Sequence, residues 1–363
     1  MSAPVRFNSL TPAEDADAVA AAIARVVASG WFVLGPEVEA FEAEFAAASR
    51  VTHVVGVGTG TDAITLILRA LDIGAGDEVI TPPLSAAYSA LAVMMAGARP
   101  VFADIDPHRL TMDPSAAEAA ITPRTRALLP VHLYGQTADM RAFEALAAKH
   151  HLALVEDAAQ AHLATDRGRP VGTLGIAAAT SFYPTKNLGA LGDGGAVLTR
   201  DAQLAARVRR LRNGGQTSRY HHQEPGANSR LDEMQAAILR ARLPFLQGWT
   251  ERRRQIASRY RSALSGASIV VPDELERGHV YHLFPVLSER RDAFQAHMSE
   301  CGVETLIHYP VPIPRQPALA AASPAMCAVA DRVCAHVVSL PMYPGLSDAA
   351  VTTVAHAAAS FRL

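Results

Sequence analysis

The chain has 363 residues, of which 50% are hydrophobic and 19% charged, and its formal net charge is −2. This suits one large globular domain or two, and the near-zero charge removes any bulk electrostatic case for nucleic acid or an anionic membrane as partner. Cys301, Cys327 and Cys334 form no paired framework, which fits a reducing cytoplasm. Residues 1–10 lack a basic region followed by an apolar core, so no signal peptide is expected. The apolar stretch 84–97 is alanine-rich and too short to cross a bilayer, so it reads as a buried helix. The histidine pairs His150-His151 and His221-His222 are adjacent rather than spaced along one helix face, and no metal site is expected.

Thr11-Pro12-Ala13-Glu14 is a capping box and predicts a helix over 11–29. Residues 31–36 form a turn-rich apolar segment, and Val38, Phe41 and Phe45 then recur at helical spacing. The β-branched run 51–57 is a strand that ends in Gly56-Val57-Gly58-Thr59-Gly60-Thr61-Asp62. Ile64, Ile67, Leu68 and Leu71 mark the following helix. A strand, a glycine turn and a helix N-terminus make an anion site, because free N–H groups and the helix dipole converge there. Gly60 would let the backbone approach a phosphate and Thr61 would add a hydroxyl. The same turn also reads, imperfectly, as a dinucleotide fingerprint on Gly56, Gly58 and Thr61 with Glu78 as the ribose acid.

Strand and helix then alternate. Strands are predicted over 78–81, 99–105, 126–132 and 152–155, with helices over 85–96, 116–120 and 139–150. This argues an α/β domain with a mostly parallel sheet, whose ligands bind at the carboxyl ends of strands. Asp157 lies at one such end. The polar loop 213–230 is long for a compact domain and therefore needs a use. A helix over 231–243 meets Pro244, and a basic helix over 249–264 follows. Short strands such as 281–286, helices and proline-rich turns complete the chain. A boundary at 245/246 divides it into a large domain, 1–245, and a smaller C-terminal α+β domain, 246–363.

The run 176–180 and the run 195–199 bracket Ser181-Phe182-Tyr183-Pro184-Thr185-Lys186-Asn187-Leu188-Gly189-Ala190-Leu191-Gly192-Asp193-Gly194-Gly195. A lysine on a tight turn between buried strands is desolvated. Desolvation lowers an ammonium pKa and frees the amine that attacks a carbonyl. The functional reading is a Schiff-base lysine whose aldehyde partner is pyridoxal 5'-phosphate; a surface lysine in a glycine-rich loop fits the same residues. That cofactor needs an amine, an acid for its pyridine nitrogen, a phosphate cup and a ring contact. Lys186, Asp157 and Gly60-Thr61 are candidates for the first three. A carboxylate about 4 Å from the ring nitrogen contributes up to ~4 kcal/mol at an effective dielectric near 20, roughly 3 pKa units. Asp157 also reads as a helix cap, and Gln160, one turn on, as a ring-hydroxyl partner or an ordinary polar side chain.

Leu154-Val155-Glu156-Asp157-Ala158-Ala159-Gln160-Ala161-His162, followed by the block from Ser181 to Gly189, resembles the DegT family of nucleotide-sugar aminotransferases. So do Trp31-Phe32-Val33-Leu34-Gly35-Pro36, Pro130-Val131-His132-Leu133-Tyr134-Gly135-Gln136, Asn228-Ser229-Arg230-Leu231-Asp232-Glu233 and Ile307-His308-Tyr309-Pro310. The resemblance implies a fold-type-I pyridoxal-phosphate transferase: a large domain with a mostly parallel seven-stranded sheet, a small C-terminal domain, and a cytoplasmic homodimer with shared active sites. It implies that Lys186 holds the cofactor and shuttles the proton, that Asp157 pairs with the pyridinium, and that Gln160 meets the ring hydroxyl. Gly60, Thr61 and Ser181 hold the phosphate, and Asn228 reaches the partner's phosphate, which gives the long loop its use. The donor would be glutamate, with pyridoxamine 5'-phosphate between half-reactions. The acceptor would be a nucleotide-linked keto-sugar, closest in motif to a dTDP-3-keto-6-deoxyhexose aminated at C3. Tyr183, Arg219, Tyr220, His308 and Tyr309 would meet it.

Two positions depart from the family pattern. Ala86 stands where members carry an aromatic that stacks on the ring, and a helix over 85–96 would turn Tyr88 about 200° away from that position. Pro314 stands where a substrate-side histidine is usual. Two other readings remain: a non-catalytic, regulatory pyridoxal-phosphate-binding homologue, and a nicotinamide-dependent oxidoreductase built on the Gly56–Thr61 turn.

Overall fold

Strands buried along nearly their whole length form the centre of the molecule. The computed structural model describes residues 4–319 and 326–362. Helices α1 (Ala16–Ser29) and α2 (Pro36–Ser49) precede β1 (His53–Val57). There follow α3 (Gly60–Ala70), β2 (Glu78–Thr81), α4 (Tyr88–Met95), β3 (Arg99–Phe102), α5 (Pro114–Ala119) and β4 (Thr125–Leu128). Helix α6 (Met140–His150) leads into β5 (Ala153–Asp157), and the hairpin β6 (Thr165–Asp166) and β7 (Arg169–Pro170) leads into β8 (Ala177–Ser181). Next come β9 (Gly195–Thr199), α7 (Ala202–Leu211) and the hairpin β10 (Gln216–Ser218) and β11 (His221–His222). Helices α8 (Glu233–Arg242) and α9 (Leu246–Ala263) are followed by β12 (Phe284–Leu287), α10 (Arg291–Glu300), α11 (Ala328–His336), β13 (Val337–Leu340) and α12 (Asp348–Ser360).

The main sheet has seven strands in the order β1-β9-β8-β5-β4-β2-β3. Strand β9 pairs antiparallel with β1 and β8, and the other pairs are parallel. This is the mostly parallel sheet expected from the alternation of strands and helices. Its strands read as continuous apolar runs because helices cover both faces. Phe41, Phe45, Phe143 and Leu239 pack on one face, and Ile64, Ile67, Val93 and Val208 on the other. A third apolar cluster, with Ile256, Tyr260, Phe284, Phe294 and Val351, lies where α9, α10 and α12 meet the antiparallel pair β12–β13. Among the described residues, no helix is long and apolar enough to cross a membrane, and no group of His, Cys, Asp and Glu side chains could hold a metal ion.

Several element ends differ from the sequence reading. The first helix begins at Ala16, not at the Thr11 box. Asp15 accepts the Ala13 N–H and is paired with Arg242 of α8, while Glu14 accepts the indole N–H of Trp249. Those long-range partners take the acids that a capping box would use. Helix α4 begins at Tyr88 rather than 85, and the strand expected over 99–105 ends at Phe102.

Strands β1, β8 and β5 run in one direction, so the turn at Gly60, Ser181 and Asp157 share one edge of the sheet. Beside that edge, the fully buried Glu156 carboxylate accepts N–H groups of Gly172, Leu174 and Gly175 at 2.9–3.2 Å and meets His132 Nε2 at 3.1 Å. Replacing it by alanine strands those donors without water. Glu156→Ala is expected to lower stability by about 3 kcal/mol or more, read as a lower thermal-unfolding midpoint; an unchanged midpoint would refute this role.

Candidate active site

The Lys186 turn is anchored from several sides. Phe182 is fully buried and makes edge-on contacts with Phe41 and Phe45 at ring-centroid distances of 5.2 and 5.4 Å. Burying such a ring contributes about 1.5–3 kcal/mol. The Lys186 N–H donates to Tyr183 O at 2.8 Å, closing the turn. A Cβ on Gly189 would lie 2.5 Å from Pro184 O, so only glycine fits there. Arg242 of α8 donates to Gly189 O at 2.6 Å, and Leu191 N–H donates to Gln235 of the same helix at 2.9 Å. Asn187, which sequence reasoning did not single out, donates to Val280 O at 2.9 Å and meets His282 Nδ1 at 3.3 Å.

Lys186 is only partly buried as a residue, yet its ammonium has no hydrogen-bond partner among the described residues. Burial pushes its pKa down to about 8, against an opposing pull from the Asp157 carboxylate. Asp157 lies at the end of β5, 5% exposed. Its Oδ1 accepts the Ala159 N–H at 3.0 Å, and its Oδ2 accepts the Ser89 hydroxyl at 2.6 Å. Ser89 is a second residue that the sequence reading missed; a lone polar side chain in an alanine-rich buried helix was the available signal.

Gln160 is held at both ends of its amide. Its Oε1 accepts the Tyr134 N–H at 2.7 Å, and its Nε2 donates to the Tyr309 hydroxyl at 3.1 Å. Tyr134 in turn donates its hydroxyl to His308 O. Burial pushes the Tyr309 phenol up to about 12, with Gln160 acting the other way. His308 is pushed down to about 4, first by burial and then by the Lys186 ammonium, and its Nδ1 lies 3.0 Å from Ser339 Oγ. Helix α4 opens at Tyr88, and residues 85–87 are not helical, so the helical rotation of about 200° expected between Ala86 and Tyr88 does not apply. Pro314 is buried in a short turn whose Ile313 N–H donates to Pro83 O at 2.8 Å.

The glycine turn after β1 forms a cup. Thr59 caps α3 by accepting the Asp62 N–H at 3.0 Å. The N–H groups of Gly60 and Thr61 then have no internal partner among the described residues. A Cβ on Gly60 would lie 2.8 Å from Ser181 Cβ, and one on Gly195 2.3 Å from Thr59 C, so three chain segments meet there at backbone contact. The dinucleotide alternative does not survive this geometry. Gly56 is tied to Glu42 and Arg212, and Gly58 donates to Ser229 Oγ. Glu78 sits at the amino end of β2, the far edge of the sheet. Burial pushes its carboxyl up, but Thr122, Arg99 and Arg124 outweigh burial and hold it at about 2.

Tyr183 is exposed beside the lysine turn. Arg219 and Tyr220 stand exposed at the tip of the β10–β11 hairpin, stacked on each other at 5.0 Å. Their contacts among the described residues do not reach Lys186. Asn228 is exposed next to Ser229, which joins the cup through Gly58 and Asp62. The structure thus brings Lys186, Asp157, Gln160, His308 and Tyr309 into one network and Gly60, Thr61 and Ser181 into the adjoining cup, and leaves Arg219, Tyr220 and Asn228 on the open surface of the single chain.

The profile of the DegT/DnrJ/EryC1/StrS aminotransferase family matches residues 13–359. The chain is 52% identical over 335 residues to a dTDP-3-amino-3,4,6-trideoxy-alpha-D-glucose transaminase of Streptomyces venezuelae, covering 90% of this chain and 87% of that one. It is 45% identical over 337 residues to a dTDP-3-amino-3,6-dideoxy-alpha-D-galactopyranose transaminase of Aneurinibacillus thermoaerophilus, covering 93% of each. The crystal structure of S. venezuelae DesV in complex with a ketimine intermediate matches it with a TM-score of 0.95 at 49% identity, over 98% of both chains.

The donor set fits pyridoxal 5'-phosphate: a glycine cradle that any Cβ would fill, free N–H groups for a phosphate, a fixed carboxylate and an unpartnered amine. At a pKa of about 8, about one Lys186 in ten is a free amine at pH 7, against roughly three in ten thousand for an ordinary lysine. The rate at which the cofactor-free chain is trapped by a small aldehyde and borohydride is expected to rise with pH and level off above about 8. Asp157→Asn removes the charge that holds this pKa up, so its midpoint falls lower. A wild-type midpoint near the ordinary lysine value, or an upward shift in the variant, would refute the assignment.

Proposed function

The chain belongs to the DegT/DnrJ/EryC1/StrS aminotransferase family, and from that premise we propose that it moves an amino group from glutamate to a keto-sugar carried on a nucleoside diphosphate. The acceptor we propose is a dTDP-3-keto-6-deoxyhexose, the keto counterpart of the dTDP-3-amino sugars named in the two transaminase relatives above. The observation that carries the reading is the desolvated, unpartnered amine of Lys186 facing Asp157 beside the empty N–H groups of α3.

Bound pyridoxal 5'-phosphate supplies a carbonyl carbon for amines and a protonated ring that accepts the electron pair of a breaking C–H bond. This chain's residues do the rest. The N–H groups of Gly60 and Thr61 and the Ser181 hydroxyl hold the phosphate at the positive end of α3. The Asp157 carboxylate keeps the ring nitrogen protonated. Gln160 Nε2 has a second hydrogen, beyond the one given to Tyr309, for the ring hydroxyl. Lys186 Nζ holds the cofactor and then takes the proton from the substrate carbon and returns it. Tyr183, His308 and Tyr309 line the substrate side, and Arg219-Tyr220 meets the diphosphate. Asn228, exposed in its own chain, reaches the phosphate of a second copy, so the working unit is a homodimer with shared sites.

Visible absorbance of the protein with cofactor, before and after glutamate, tests the reading. Bleaching with release of 2-oxoglutarate is the expected result; a band indifferent to every amino donor would favour a non-catalytic cofactor-binding role. Lys186→Ala is expected to cut turnover about 10⁴-fold, with the fold intact by circular dichroism, and substantial residual turnover would sink the assignment. Mixed dimers of Lys186→Ala and Asn228→Ala subunits should regain one intact site. Failure to recover activity would show that Asn228 does not act across the dimer.

A further inference from the structure

Ser89 lies outside the sequence blocks that carry the family resemblance, and its surroundings ask for a role. It is 2% exposed, in the first turn of α4, beside Ala90, Ala92 and Val93. A buried hydroxyl is costly unless hydrogen-bonded, and within a helix a serine commonly bonds back to a local carbonyl. Ser89 instead donates across 68 positions of sequence to Asp157 Oδ2, at 2.6 Å. That length is typical of a charge-assisted bond to a carboxylate.

Asp157 is thereby held at both oxygens, by Ser89 on Oδ2 and by the Ala159 N–H on Oδ1. The terminal torsion of an aspartate is otherwise broad and soft. Two anchors from different elements remove that freedom, so the plane of the carboxylate is set before any ligand arrives. Oδ2 keeps a lone pair for a second donor.

We propose that Ser89 is a positioning residue for the pyridine nitrogen of the cofactor, fixing the orientation of the Asp157 carboxylate that would meet it. This rests on the pyridoxal-phosphate reading above. Without the Ser89 hydroxyl, the Asp157 carboxylate turns more freely and meets the ring nitrogen less often. The positive charge on the ring is then less well stabilised, and its electron-withdrawing power falls.

The test uses the full chain, prepared free of cofactor and titrated with pyridoxal 5'-phosphate by visible absorbance. Ser89→Ala is expected to raise the cofactor Kd about tenfold, or ~1.4 kcal/mol, and to move the pH midpoint of the bound chromophore upward, because a less positive ring releases its remaining proton at higher pH. Ser89→Thr keeps the hydroxyl and should restore both values. A Ser89→Ala protein with wild-type Kd and pH midpoint overturns the proposal. So does a Ser89→Thr protein that shares the alanine variant's losses, since the effect would then lie in packing. A wild-type chain that binds no cofactor overturns the proposed function itself, and this inference with it.

Discussion

An ammonium held partly out of water costs free energy, and this fold shields Lys186 with no hydrogen-bond partner for it among the described residues. The rest of the site exists to hold that condition in place. Phe182 is sunk among Phe41 and Phe45. Arg242 and Gln235 of α8 grip the far side of the turn, and Asn187 grips Val280 and His282. A lysine on a loose loop would swing into water and regain its ordinary proton affinity. A lysine on this turn cannot, because its backbone is fixed from three directions. Asp157 moderates the result: its attraction keeps the amine from falling further.

The histidines nearby serve the same balance. Burial, with the Lys186 ammonium as the next cause, pushes His162 to about 3 and His308 to about 4. The same two causes push His282 well below its ordinary range. All three are therefore neutral at physiological pH and add no positive charge beside the amine. Arg253 is also close to His282 and is buried, yet it spends its guanidinium on backbone carbonyls of Tyr281, His282 and Met342. These carbonyls lie on the segments that flank β12 and β13. The buried cation thus fixes the wall of the site rather than joining its chemistry.

Tyr134, Gln160, His308 and Tyr309 form a closed set of hydrogen bonds between the end of the main sheet and the C-terminal third of the chain. Gln160 therefore serves two purposes, and its amide is oriented before a ligand is present. This couples the position of Tyr309 to the end of β5. Ser229 plays a comparable part at the cup, where it links Gly58 to Asp62 and leaves the neighbouring Asn228 free on the surface.

The sequence by itself determined the α/β alternation, the glycine-rich turn that carries Lys186, the place of Asp157 after a strand and the glycine turn before α3. Each of these has its signature within one short stretch, such as Gly58-Thr59-Gly60 before α3 or Phe182 to Gly195 around Lys186, although distant contacts then hold it in place. It also left the cup open to a dinucleotide reading, because a glycine turn before a helix has the same local chemistry in both cases. Only the tertiary structure placed Glu78 at the wrong edge and closed that option. The capping box at Thr11 was equally sound locally, but Arg242 and Trp249, more than two hundred residues away, hold its neighbouring acids. Ser89 and Asn187 were likewise decided in three dimensions, because their partners lie on distant segments and a hydrogen bond across 68 or more residues leaves no periodic trace in the chain.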